Sequence, residues 1–185
     1  MVDLLQQQEA VPAAYPDAPS GLSTAAAALN ADMIWQRIES YIAHRYTVRE
    51  IVWTISGFAG DEWQPPIGPL VSQTSERWDA GAWASVTILP GPLGLCLPSD
   101  GTFKITAQVG AGDVPAAVSE AFRRLAEYSA EIGENGMLVG HPSYTEHSAK
   151  IGTAVDESFS RSPTWAARAL QLSGAADLLR PYRRA

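Results

Sequence analysis

The chain has 185 residues, 46% of them hydrophobic, enough to bury the core of one ordinary domain without metal or disulfide support. A formal net charge of -7 excludes a whole-surface grip on nucleic acid, which needs a concentrated basic face. The single Cys96 cannot form an intrachain disulfide, the start Met1–Glu9 has no basic region leading into an apolar run, and no segment approaches the roughly 20 apolar residues of a membrane span. A soluble protein of a reducing, intracellular compartment with no membrane partner is expected.

Residues 1–22, with Pro12, Pro16 and Pro19 among alanines, cannot hold a helix and lack the apolar density of a core, which predicts an extended arm or strap. From Ser23 to Arg45 the pattern is helical: Ser23 or Thr24 can cap, and Ile34, Ile38, Tyr41 and Ile42 recur at one-face spacing. Thr47–Ser56 is rich in β-branched and aromatic residues and stops at Gly57, as a strand does.

The middle predicts an antiparallel sheet with short connections. Pro65, Pro66 and Pro69 bracket a crossing into a strand from Leu70 to Trp78, and Asp79-Ala80-Gly81 offers a hairpin turn into a return strand from Trp83 to Leu89. Leu93–Leu97 is another short strand. In Thr102–Val109, Phe103, Ile105, Ala107 and Val109 alternate with polar residues, so one face of that strand is wet.

Asp113 and Pro115 suit the start of a helix running to about Ile132, with Val118, Phe122, Leu125, Ala126 and Ser129 inward and Glu120, Arg123, Arg124 and Glu127 outward. Residues 133–163 predict a long loop holding at most one short helix. Ser162-Pro163 opens a helix to about Leu172, and Ser173-Gly174 stops it. The chain then ends in Leu178, Leu179, Arg180, Pro181, Tyr182, Arg183 and Arg184, the aromatic and guanidinium types that anchor one protein in another. The order predicts an α+β fold: a small helical bundle with an antiparallel hairpin and sheet region inserted at about 47–109, and extended N- and C-terminal arms. Its parts are an arm over 1–22, a single domain over 23–172 and a docking tail over 173–185.

Catalytic and metal chemistry find little support. His141 and His147 flank Glu146 but stand six residues apart with Pro142 between, whereas helical ligand pairs need about four. His44 has a packing or helix-end role and no nucleophile beside it. Gly110-Ala111-Gly112 sits where phosphate loops occur, yet no third glycine or Gly-Lys-Ser/Thr follows, and a tight strand-to-helix turn explains both glycines. Cys96 between two leucines is expected buried, not nucleophilic. Trp53, Trp78 and Trp83 are expected in the core, leaving Trp35 and Trp63 as the open cases for a stacking surface.

The succession of these segments resembles a known family. A helix ending Ile38–Arg45 runs directly into the Trp-containing strand Glu50–Ile55, and a Pro-rich passage leads to hairpins. The strand Phe103–Val109 meets Gly110-Ala111-Gly112, Val114–Val118 opens a long helix, and the end carries Ser173-Gly174, Leu178-Leu179 and Pro181-Tyr182-Arg183. This order is similar to that of the head-to-tail connector, or adaptor, proteins of long-tailed bacteriophages and gene transfer agents, over Ala28 to Arg184. The resemblance implies a virion protein of the neck, made in the host cytoplasm. It implies a homo-oligomeric ring of about twelve subunits, closed by heterologous contacts. The ring would bind the portal protein above and a tail-side neck or terminator protein below, with DNA passing through unread. An acidic subunit suits such a lumen, since it repels phosphate. Neither enzymatic activity nor a cofactor or metal is implied, and portal docking falls to Leu178, Leu179, Arg180, Pro181, Tyr182, Arg183 and Arg184. The alternatives are another head- or tail-completion ring protein, or a small hydrolase using His141 or His147.

Overall fold

The computed structural model describes residues 1–134, 146–151, 155–160 and 168–183. The elements are β1 (Asp3–Glu9), α1 (Thr24–Ala27), α2 (Ala31–Ile42), β2 (Arg49–Gly57), β3 (Glu62–Trp63), β4 (Leu70–Asp79) and β5 (Ala82–Ser85). They continue with β6 (Leu89–Gly91), β7 (Gly94–Cys96), β8 (Gly101–Val109), α3 (Ala116–Glu134), β9 (Glu146–Ile151), β10 (Val155–Ser160), α4 (Ala169–Leu172) and α5 (Ala175–Leu179), then one 3-10 turn, Arg180–Tyr182. The fold is α+β with antiparallel sheets. It divides into two compact units, one holding residues 1–16, 39–113 and 183, the other holding the described residues of 17–38 and 114–182.

The first unit is built on a five-stranded sheet of order β1-β2-β8-β4-β5. Strands form at its centre because alternate residues are large and apolar: Ile51, Trp53 and Ile55 lie opposite Ala107, Ile105 and Phe103, all essentially inaccessible to solvent. A three-stranded sheet, β3-β7-β6, and its flanking loops add Trp63, Ile67, Ile88, Leu95 and Leu97 to the same core. Trp63 meets Trp53 edge to face at 5.4 Å, so Trp63 is a core residue and not a stacking platform.

The hairpin between β4 and β5 turns at Ala80 and Gly81, both at positive φ (47° and 90°), the geometry that matches the twist of the flanking strands. Its return strand is shorter than the predicted Trp83–Leu89. Pairing ends near Val86, Ile88 drops into the core, and Leu89 joins the small sheet as part of β6. Gly110 allows a close approach: its φ is 120°, and a Cβ there would lie 2.3 Å from the Thr47 carbonyl oxygen. Gly110 thus serves a crossing of backbones, and Gly112, at a φ of 92° with open space beside it, serves the turn.

The strap expected at the N-terminus includes a strand. β1 pairs antiparallel with β2 from Asp3 opposite Ser56 to Glu9 opposite Ile51, with a bulge between Leu4 and Gln6. Low apolar content concealed it, because strand addition is driven by backbone hydrogen bonds and all seven β1 residues stay exposed.

The second unit is helical, with an added β9–β10 hairpin. The continuous helix predicted over 23–45 is two helices. Ser23 caps α1 by accepting from the Ala26 N–H at 3.1 Å, and Asn30 restarts the chain, its Oδ1 accepting from Asp32 and Met33 N–H groups. α2 stops at Ile42 because Ala43 turns to a φ of 55°. In α3, Val118, Ala121, Phe122, Leu125, Ala126 and Ala130 form the buried stripe, and Phe122 packs on the fully buried Trp35 at 4.9 Å. Ser129, predicted inward, is half-buried and donates its hydroxyl to the Leu125 carbonyl.

Candidate docking surfaces

The C-terminal segment forms locally as its residues require. α4 ends at Leu172, Ser173 follows, and Gly174 takes a left-handed φ of 73° that redirects the chain into α5. α5 packs on α3 within the second unit, which sorts the predicted docking residues. Leu179 is fully buried and Leu178 half-buried, whereas Arg180, Pro181, Tyr182 and Arg183 are exposed. Arg180 faces Asp177 at 3.7 Å with both side chains about four-fifths exposed, a pair worth little in water. In the first unit the Arg183 guanidinium stands over the Tyr41 ring, 5.4 Å from its centroid. Arg184 lies outside the described residues.

Beside α5, an open groove of about 400 Å³ is lined by Glu120, Arg123, Arg124, Glu127, Tyr128, Leu172 and Ser173. Its charges answer one another. Glu120 pairs with Arg123 and, at 3.1 Å, with Arg124; Glu127 accepts the Ser23 N–H and hydroxyl, each at 2.7 Å. Hydrogen bonds from Arg124 hold the Glu120 carboxyl below its ordinary pKa, and those from Ser23 do the same for Glu127. A groove with its charges neutralised has no strong pull on an ionic ligand.

The most concentrated electrostatics lie under the strap. Glu9 Oε1 accepts from Arg45 Nε at 2.6 Å and Arg49 Nη1 at 3.2 Å, and its Oε2 accepts from Arg45 Nη2 at 2.9 Å. Behind them, Glu39 pairs with Arg49 at 2.8 Å and accepts the Tyr46 N–H at 2.9 Å. Arg45 also donates to the Glu39 carbonyl, and the Tyr15 ring covers Arg49 at 5.2 Å. Two cations and two anions balance. Glu39, Arg45 and Arg49 are buried, at 1%, 6% and 5% exposure, and Glu9 is the part nearest solvent. Burial alone would raise the Glu9 pKa, but Arg45 and Arg49 outweigh it and hold the carboxyl below its ordinary 4.5. For Glu39, enclosed on every side, burial wins and pushes the pKa up. Both carboxylates are engaged by guanidinium groups, and the cluster fastens the strap.

Other candidates fall into place around this framework. His44 Nε2 lies 3.3 Å from the Ala111 carbonyl oxygen and its ring packs on Tyr46, a structural role. Cys96 is a free, half-buried thiol in β7. His141 and the side chain of His147 lie outside the described residues. Among the described residues, no three His, Cys, Asp or Glu side chains gather as metal ligands would, and no helix is long and apolar enough to cross a membrane.

Of the tryptophans expected in the core, Trp53 is there, but Trp78 and Trp83 are not. Trp35 and Trp63 are buried, while Trp78 is 48% exposed and meets Trp83 edge to face at 5.1 Å on the β4–β5 hairpin. Their register as a directly opposed pair puts both on the sheet face turned away from the core, where Lys104 stands over Trp83 at 4.8 Å and pairs with Glu76. Alternation alone carried the clue, since Arg77, between Glu76 and Trp78, is the residue opposite the core-facing Phe103.

No protein-family model and no curated protein matches the sequence. Among solved structures, the fold is similar to a chain from the "Neck of empty GTA particle computed with C6 symmetry", with a TM-score of 0.51 at 16% identity, spanning 98% of this chain and 96% of that one. Two further chains align over 84% of this one at 19% identity: one from the "Virion of native gene transfer agent (GTA) particle" (TM-score 0.49, 75% of that chain) and one from the "Neck of native GTA particle computed with C12 symmetry" (TM-score 0.46, 80% of that chain). The first of these likenesses is one of fold: this α+β chain and that one share an architecture over nearly their full lengths.

Proposed function

We propose that this chain is a structural adaptor of a virion neck. It forms a homo-oligomeric ring of about twelve copies between portal and tail, joined by heterologous contacts. The observation that carries the reading is the end-to-end likeness of fold to a neck chain, 98% of this protein against 96% of that one. The order of segments supports the same assignment, and the net charge of -7 suits a channel through which DNA slides without being held. The protein acts by contact and needs neither cofactor nor catalytic group.

Within this reading, residues 1–22 are the arm, 23–172 the adaptor domain and 173–185 the portal-docking tail. The exposed Arg180, Pro181, Tyr182 and Arg183 make the contact, with the guanidinium groups taking portal carboxylates and the tyrosine an apolar pocket. Leu179 holds the segment to its own subunit. The test is co-sedimentation of purified chain with portal rings, using Arg180→Glu/Tyr182→Ala/Arg183→Glu as the docking variant. Loss of co-sedimentation by a variant that keeps its near-ultraviolet circular dichroism supports the role. Undiminished binding of that variant contradicts it.

A further inference from the structure

The five-stranded sheet ends in two open edges. On one side, no strand among the described residues lies beyond β1, and neither proline nor lysine blunts residues Gln6–Glu9. Leu4 and Leu5 are exposed there at 45% and 59%. On the other side, β5 covers only Glu76–Asp79 of β4, and the Val86 N–H closes the pairing on the Ser75 carbonyl at 3.0 Å. Among the described residues, no strand pairs with that side of Val71–Thr74. Val71, Trp78 and Trp83 give this edge its own apolar surface, with Val71 54% exposed.

We infer that these two edges are the halves of one subunit contact, in which β1 of one copy pairs with the open stretch of β4 in the next. The inference rests on the ring reading above. A heterologous ring contact needs two different, complementary surfaces on each subunit, and opposite edges of one sheet supply them. Strand direction selects the partner. β1–β2, β2–β8 and β8–β4 are each antiparallel, so β4 runs opposite to β1 while β5 runs with it. A neighbouring copy placed side by side brings its β1 antiparallel to Val71–Thr74, a stretch as long as Gln6–Glu9. The unpaired backbone groups of both edges are then satisfied; the antiparallel register sets Glu9 opposite Val71 and carries Leu4 and Leu5 of one copy toward the Trp78 and Trp83 end of the other. No like charges oppose in these stretches, because Val71–Thr74 carries no charged residue.

Photo-crosslinking of full-length protein with Leu5 replaced by p-benzoylphenylalanine tests the contact, with light scattering on the same sample reporting its size. Ring-sized particles whose crosslinked peptides join Leu5 to residues 70–85 of another copy are expected. Ring-sized particles whose crosslinks fall elsewhere, or only within one copy, overturn the edge contact and leave the ring intact. Monomers alone, with or without portal, overturn the ring reading and this inference with it. A charge at either edge, Leu5→Lys or Val71→Lys, is expected to cut the ring-sized fraction about tenfold or more in a protein that still melts cooperatively; rings undiminished in both variants overturn the contact.

Discussion

The two ends of the chain attach by opposite means. The N-terminal strap has every β1 residue exposed overall, yet it is fixed by a backbone ladder and by the partly covered Glu9 side chain on two buried arginines. The C-terminal segment is rich in anchoring side chains, yet it is held by one face only: Ala175 and Leu179 are buried, Leu178 is half-buried, and Arg180 to Arg183 are exposed. Exposure of side chains therefore does not mark a free segment, and apolar composition does not mark a free anchor. What distinguishes the ends is which chemical group does the holding, backbone and charge in one, a leucine in the other.

Breaking the charge cluster has the largest expected effect. Arg49→Ala leaves Glu39 buried without its guanidinium partner and is expected to destabilise by about 3–5 kcal/mol, read as a lower urea midpoint. At the other end, Leu179→Ala removes a fully buried side chain and is expected to cost about 2–5 kcal/mol. Deleting the whole tail would therefore confound loss of docking with loss of stability, which is why surface substitutions are the sharper tool.

Glu9→Gln keeps the strap's shape and removes its charge, with an expected loss of about 1–3 kcal/mol at neutral pH. The pH dependence follows from the sign of each shift. The lowered Glu9 pKa adds stability that is present above 4.5 and lost as pH falls through the depressed folded value. The raised Glu39 pKa works the other way, its contribution complete below 4.5 and lost as pH rises through the folded value. Glu9→Gln should accordingly flatten the acid side of a melting-temperature profile, while Glu39→Gln should leave the acid loss in place. An unchanged acid limb in Glu9→Gln would mean that Glu9 does not latch the strap. Smallest in stability, within about 0.5 kcal/mol, are the exposed changes Arg180→Glu, Tyr182→Ala and Arg183→Glu, whose effect belongs to docking.

Much of the fold was legible because its signals are local. Alternation in Phe103–Val109 gave β8, the Asp79-Ala80-Gly81 turn gave a hairpin, and the spacing of Val118, Phe122 and Leu125 gave the inner face of α3. The break at Ala28–Asn30 was hidden by a run of alanines with high helix propensity, although Asn30 is a good cap. The strap's pairing was invisible because Gln6, Gln7 and Gln8 have no strand pattern; its partners, Trp53 for Gln7 and the two arginines for Glu9, lie 36 to 46 residues away. Burial of Leu179 escaped notice for the same reason, since it depends on α3. The tail's composition did not separate the buried Leu179 from the exposed Arg180 to Arg183, whereas the wet face of β8 was correctly expected.

Electron microscopy of the full-length chain mixed with purified portal tests the central claim most directly. The account predicts class averages in which a second ring of this protein is stacked on one face of the portal, absent when the Arg180, Tyr182 and Arg183 variant is used. Portal rings bare of added density with the unaltered chain, at concentrations where the protein is folded, would contradict it.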